Sequence, residues 1–110
     1  MAVSEAISTK WLTQGPLVSK FEDALCQYLA NNNRENHLRG AAVSSGSAAL
    51  FLAFKALEIG NGDEVLVPTY ACSSLLNAVH LVGATPIILD ISDTDFNPTV
   101  DMVSKKITDN

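Results

Sequence analysis

Basic residues are scarce in this sequence. Its 110 residues include 7 Lys and Arg against 12 Asp and Glu, for a formal net charge of -5. A protein built to grip phosphate backbones carries a basic stripe, so nucleic acid is not an expected partner. A polybasic membrane anchor is excluded on the same ground. No apolar run approaches the roughly 20 residues that a membrane helix needs, so no membrane partner is expected. Cysteine is nearly absent: Cys26 and Cys72 stand far apart, without the spacing of a metal site. The opening Met1-Ala2-Val3-Ser4-Glu5 lacks the charged-then-apolar pattern of a signal peptide. Reduced thiols and a cytoplasmic location are therefore expected. Walker-type Gly-Lys-Ser/Thr and Gly-x-Gly-x-x-Gly fingerprints are both missing. Asp93-Thr94-Asp95 is too short and too poor in glycine for a calcium loop, and no metal site is expected.

What is present is apolar: 47% of residues are hydrophobic and 17% charged, enough to fill a core. Residues 1–16 read as irregular. Leu17, Phe21, Ala24, Leu25, Tyr28 and Leu29 then recur at helical spacing, predicting a helix over about 17–30 that follows Pro16 and ends at Asn31-Asn32-Asn33. Gly40-Ala41-Ala42-Val43 reads as a short buried strand. A helix apolar on nearly every side follows over Ala48–Leu57, and Gly60 is expected to stop it. Asn61-Gly62-Asp63 is a turn. Glu64–Pro68 is a second strand, Ser73–Val82 a helix closed by Gly83, and Thr85–Ile91 a third strand. Asn97-Pro98-Thr99 should cap a last helix with Val100, Val103 and Ile107 on one face. Near-continuous apolar strands alternating with helices imply an α/β fold with a parallel sheet covered on both faces.

Chemistry is expected in two places. At Ser44-Ser45-Gly46-Ser47 a strand gives way to a helix, whose free N–H groups and dipole favour an anion. Gly46 would let a ligand approach the backbone, and Ser47 would add a hydroxyl. Two readings fit: a phosphate cup, or serines that merely cap the helix. The second place is Pro68-Thr69-Tyr70-Ala71-Cys72, at the sheet edge where open α/β folds bind ligands. Tyr70 could stack on a ring and Cys72 offer a small polarizable surface; a loop aromatic and a buried small residue are the plain alternatives. Asp90 ends the third strand at the same edge, as a ligand contact or a cap. His37 and His80 have no evident partner.

Taken together, these segments resemble the DegT/DnrJ/StrS family of pyridoxal-phosphate-dependent sugar aminotransferases. Ala42-Val43-Ser44-Ser45-Gly46-Ser47-Ala48-Ala49-Leu50 is similar to the family's Ser-Gly-Thr-Ala-Ala-Leu signature. Gly62–Pro68, Asn77–Pro86 and Asp90-Ile91 continue the likeness in order, and Thr13-Gln14-Gly15-Pro16 with Phe21-Glu22 precedes it.

The resemblance implies an incomplete three-layer type I aminotransferase large domain, from about residue 40 to 110, preceded by an N-terminal arm and helix over about 1–33. It implies amino transfer from an amino-acid donor to a nucleotide-linked keto-sugar, in polysaccharide or amino-sugar biosynthesis, by a homodimer with residues 11–16 near the interface. It places the cofactor phosphate on Gly46, Ser47 and Ala48. Many relatives have a ring-stacking aromatic four residues after the proline; that position is Cys72 here, with Tyr70 two residues before it. The chemistry also needs a Schiff-base lysine and a carboxylate for the pyridine nitrogen. Lys10, Lys20, Lys55, Lys105 and Lys106 do not match the family's lysine motif. The chain is thus expected to be the N-terminal portion of a longer enzyme, inactive alone, whether a truncated product, an incomplete gene reading or an expressed piece. A deoxysugar dehydratase of the same fold and a small non-catalytic α/β binding domain are the alternatives.

Overall fold

A computed structural model describes residues 2–11, 13–30 and 38–108. It contains two compact units, 1–42 and 43–110.

In the first unit, α1 spans Ala2–Ser8 and α2 spans Pro16–Leu29. The α1 helix corrects the reading of residues 1–16 as irregular. Ala2, Val3, Ala6 and Ile7 recur at helical spacing, but seven residues are barely two turns, too short a stretch for a clear periodic signal. The prediction for α2 holds to within a residue at each end, with Pro16 in its first turn. The Asn31–Asn33 stop and His37 lie outside the described residues. No described residue of this unit is buried, and the α2 stripe of Leu17, Phe21, Leu25 and Leu29 is exposed. Gly15 is fixed by contact: a Cβ there would fall 2.4 Å from the Trp11 indole nitrogen. That nitrogen donates to the Gln14 carbonyl at 2.9 Å.

Residues 40–43 are not a strand. A strand is completed by its neighbour, and no described residue pairs with this segment. One of its amides finds another acceptor: Ala42 N–H donates to Glu22 Oε1 at 2.7 Å.

The second unit opens with α3, Gly46–Ala56. It ends earlier than expected, at a Schellman pair around left-handed Glu58 rather than at Gly60. Ile59 N–H reaches Phe54 O and Glu58 N–H reaches Lys55 O. Gly60 instead opens the turn into β1, where its N–H donates to Asp63 Oδ2 at 2.7 Å. The predicted Asn61-Gly62-Asp63 turn is present, with Gly62 at φ 100°. Strand β1, Glu64–Pro68, and helix α4, Ser73–Val82, have the predicted bounds. Gly83, at φ 87°, closes α4 with a second Schellman pair.

Strand β2 is Thr85–Leu89, two residues shorter than expected. Its parallel register with β1 runs from Glu64 opposite Thr85 to Pro68 opposite Leu89, so pairing stops where β1 stops. Helix α5, Val100–Ser104, is capped by Thr99, whose side chain accepts from Met102 N–H. Its half-buried residues are Met102 and Val103; Val100 and Ile107 are exposed, and Ile107 lies past the helix end.

The core of this unit is Val67 of β1, Val79 and Val82 of α4, and Ala84, with Phe51 and Phe54 of α3 packed on it. Helix α3 lies on α4, and α4 touches both strands. Among the described residues of this unit, α3 finds its main cover on the α4 side, and Leu52 stays exposed. The β1–α4–β2 unit puts the C-terminal ends of both strands at one edge, beside the N-terminus of α4.

Candidate functional site

Each predicted cofactor residue sits at the start of a helix or on the loop leading to one. Ser45 is the N-cap of α3: its backbone is extended, and its Oγ accepts from Ala48 N–H at 3.2 Å. Of the three expected phosphate donors, the Ala48 amide is thus engaged by the cap. Those of Gly46 and Ser47 have no acceptor among the described residues. Ser44, Gly46 and Ser47 are exposed. A Cβ built on Gly46 would meet nothing within 4 Å, and its φ is not in the left-handed region. Neither backbone conformation nor contact with the described residues therefore demands glycine at 46. What its bare Cα leaves is room for a group outside the chain to reach two open N–H groups.

The second cluster lies on the β1–α4 loop. Cys72 is the N-cap residue of α4, without a side-chain cap bond. Its exposed Sγ lies 2.7 Å from Ser74 Oγ. The Ser74 hydroxyl stabilises the thiolate and holds the Cys72 thiol below its ordinary range, with local backbone amides adding to the effect. Tyr70 is 72% exposed, and its ring lies 5.6 Å from that of Phe96, tilted by 41°. Thr69 ties the loop to the end of β2: its N–H and its Oγ1 both donate to Leu89 O, at 2.9 and 2.6 Å.

Asp90 turns to its own backbone, accepting from Ile91 N–H at 2.9 Å. His80 is exposed on the last turn of α4. The sequence does not mark Phe96: nothing in Asp95-Phe96-Asn97-Pro98 announces a ring contact with a residue 26 positions earlier. A separate open pocket of about 260 Å³ lies in the first unit, lined in part by Glu5, Trp11, Thr13 and Lys20. It includes none of the five predicted cofactor residues.

A helix start opened by serine and glycine thus precedes a βαβ unit that carries an exposed thiol and tyrosine at the C-terminal edge of its sheet. The family model for DegT/DnrJ/EryC1/StrS aminotransferases matches residues 1–110. This chain belongs to that family. Among solved structures it is similar to Spr1654 of Streptococcus pneumoniae, assigned as a sugar aminotransferase, in its PLP form. That match has 31% identity and a TM-score of 0.84, over 96% of this chain and 26% of the other. NtdA of Bacillus subtilis, with bound cofactor PMP, matches at 33% identity and a TM-score of 0.85, over 97% and 23%. The aminotransferase TlmJ of Streptoalloteichus hindustanus matches at 31% and 0.82, over 98% and 28%. The chain spans about a quarter of the length of these DegT-family relatives. The fold expectation holds: the small parallel sheet and its helices form an incomplete type I aminotransferase α/β domain. Among the described residues, no helix is long and apolar enough to cross a membrane.

Proposed function

We propose that this chain is the cofactor-phosphate end of a pyridoxal-phosphate-dependent aminotransferase acting on a nucleotide-linked keto-sugar, in polysaccharide or amino-sugar biosynthesis. One observation carries the reading: among the described residues, two amides at the start of α3 are unengaged, beside a glycine that no contact requires. Similarity to relatives solved in PLP and PMP forms supports the choice of ligand.

When bound, the cofactor supplies a conjugated ring that stores the electron pair released from the substrate carbon. The residues of this chain bind and orient it. The N–H groups of Gly46 and Ser47 and the Ser47 hydroxyl take phosphate oxygens at the positive end of α3. Ala48 N–H joins them where Ser45 Oγ releases it. Cys72 and Tyr70 stand on the ring side, at the end of β1. No lysine of this chain is assigned to the Schiff base, so the chain alone binds without turning over. The amino-acid donor, a homodimeric assembly and a cytoplasmic location belong to the same proposal.

The test is a melting experiment with pyridoxal phosphate and, separately, inorganic phosphate. Both should raise the melting temperature of the wild-type chain. Gly46→Val should abolish both responses while melting near wild type without ligand, because its side chain enters open space. The phosphate arm controls for imine formation at surface lysines. Equal responses in wild type and variant would falsify the reading.

A further inference from the structure

Three residues other than glycine have a left-handed backbone: Lys10, Glu58 and Phe96. Two are explained by helix ends. Lys10 follows α1, with its N–H on Ile7 O, and Glu58 closes α3. Phe96, at φ 59°, ends no helix. A bulky aromatic in this region is an outlier, and such strain persists only where the surroundings over-determine it.

They do so here. Ser92 N–H donates to Asn97 O at 2.9 Å and Phe96 N–H to Ser92 O at 3.1 Å, closing a turn over 92–97. Asn97 N–H donates to Asp95 Oδ1, and Ser92 Oγ meets Thr94 Oγ1 at 2.7 Å, so the turn is held from within. Its product is the placement of one ring. Phe96 is 57% exposed, so its side chain is not there to fill the core. It lies against Tyr70, one residue past the Thr69 latch onto Leu89.

We infer that Phe96 is a positioning residue: the 92–97 turn presents its ring to Tyr70, and the pair fixes the 69–72 loop at the C-terminal edge of the sheet. The loop is then held at two points, through the Thr69 hydrogen bonds to the end of β2 and through Tyr70 to the turn beyond it. Its value to function rests on the proposal that this loop faces the cofactor ring. Such a loop has to hold Cys72 in one place, and the latch at Thr69 alone leaves three residues free to pivot before α4 begins.

The Cys72 thiol reports on this directly, since its contact with Ser74 depends on how the loop enters α4. Alkylation of Cys72 by iodoacetamide, resolved from Cys26 by mass spectrometry, would be followed against pH in wild type and variants. Phe96→Gly accepts the left-handed backbone but removes the ring. Its melting temperature should stay near wild type, while Cys72 titrates higher and reacts roughly twofold more slowly at neutral pH. Tyr70→Leu breaks the same pair without touching the strained backbone and should shift the profile the same way. Phe96→Tyr should restore the wild-type profile. Folded Phe96→Gly and Tyr70→Leu variants that both keep the wild-type Cys72 profile would overturn the inference. The inorganic-phosphate response through Gly46 should be unchanged in the Phe96 variants, so failure of that response and failure of this inference are separate results.

Discussion

At the scale of single residues, Cys72 and Gly83 make opposite kinds of claim. Cys72 sits in water, and its behaviour is set by one hydroxyl. Hydrogen bonding to the thiolate lowers its pKa, so at any pH below the ordinary thiol range Cys72 is more ionised than a free cysteine. Ser74→Ala removes the largest contribution. The pH–rate curve for Cys72 alkylation should then move to higher pH. Any stability linked to this ionisation is present at alkaline pH and fades as pH falls through the lowered pKa, so at neutral pH the substitution should leave unfolding nearly unchanged. Gly83 is held by conformation instead. At φ 87° an added Cβ is disfavoured by about 1–2 kcal/mol, and it would also fall 2.6 Å from Asn61 Oδ1. Gly83→Ala should lower stability by more than that amount in urea denaturation, since the contact adds to the dihedral cost. Adding Asn61→Gly should recover only a part, because it clears the contact and leaves the dihedral. Gly83 could be read from its place after an apolar helix. The division of labour among Ser44, Ser45 and Ser47 could not. All three can cap or bind in sequence terms, and only the extended backbone at Ser45 selects it as the cap.

Among elements, legibility followed how local the cause was. Strand β1 and helix α4 have bounds written in their own residues: a turn before, a proline or glycine after, an apolar run between. Residues 40–43 share that apolar character but are not a strand, because strand formation depends on a partner and their own composition does not supply one. Helix α1 is hard to read from sequence because a seven-residue helix shows barely two turns of pattern. The helix starts carry their own test. Ser45→Ala should cost about 1 kcal/mol through loss of the bond to Ala48 N–H. Gly46→Ala should leave stability equal or higher, since alanine favours helix and its Cβ meets open space. The packing contrast between units is sharper still. Val79 is fully buried at the centre of the core, and Val79→Ala should cost about 2 kcal/mol in thermal or urea unfolding. Phe21, although larger and equally well placed on its helical stripe, is 58% exposed. Phe21→Ser should change the stability of this chain little.

For the molecule as a whole, the sheet is the telling part. It has two strands, so each strand has one unpaired edge among the described residues. Parallel sheets are ordinarily wide and covered on both faces. Two strands with one group of helices make a core that rests on a handful of valines, alanines and a leucine. Apolar residues such as Leu52, Leu81 and Ile88 remain at the surface of the same unit. Open edges and exposed apolar side chains favour self-association. Sedimentation should therefore show an average mass that rises with concentration, and Leu81→Lys with Ile88→Lys should reduce the rise. A mass independent of concentration would contradict this account. The sequence identified the family-like order of motifs but not how much surface the chain leaves bare, because exposure depends on neighbours that composition does not specify.

The register of β1 and β2 has a consequence for biogenesis. Glu64 to Leu89 is one uninterrupted stretch, with the crossover helix between the two strands it joins. Closing a loop of about ten residues takes well under a millisecond, whereas synthesis proceeds at only about 5–20 residues per second. The βαβ segment can therefore assemble near the ribosome within seconds of emerging, a nucleus on which the rest of its unit can build.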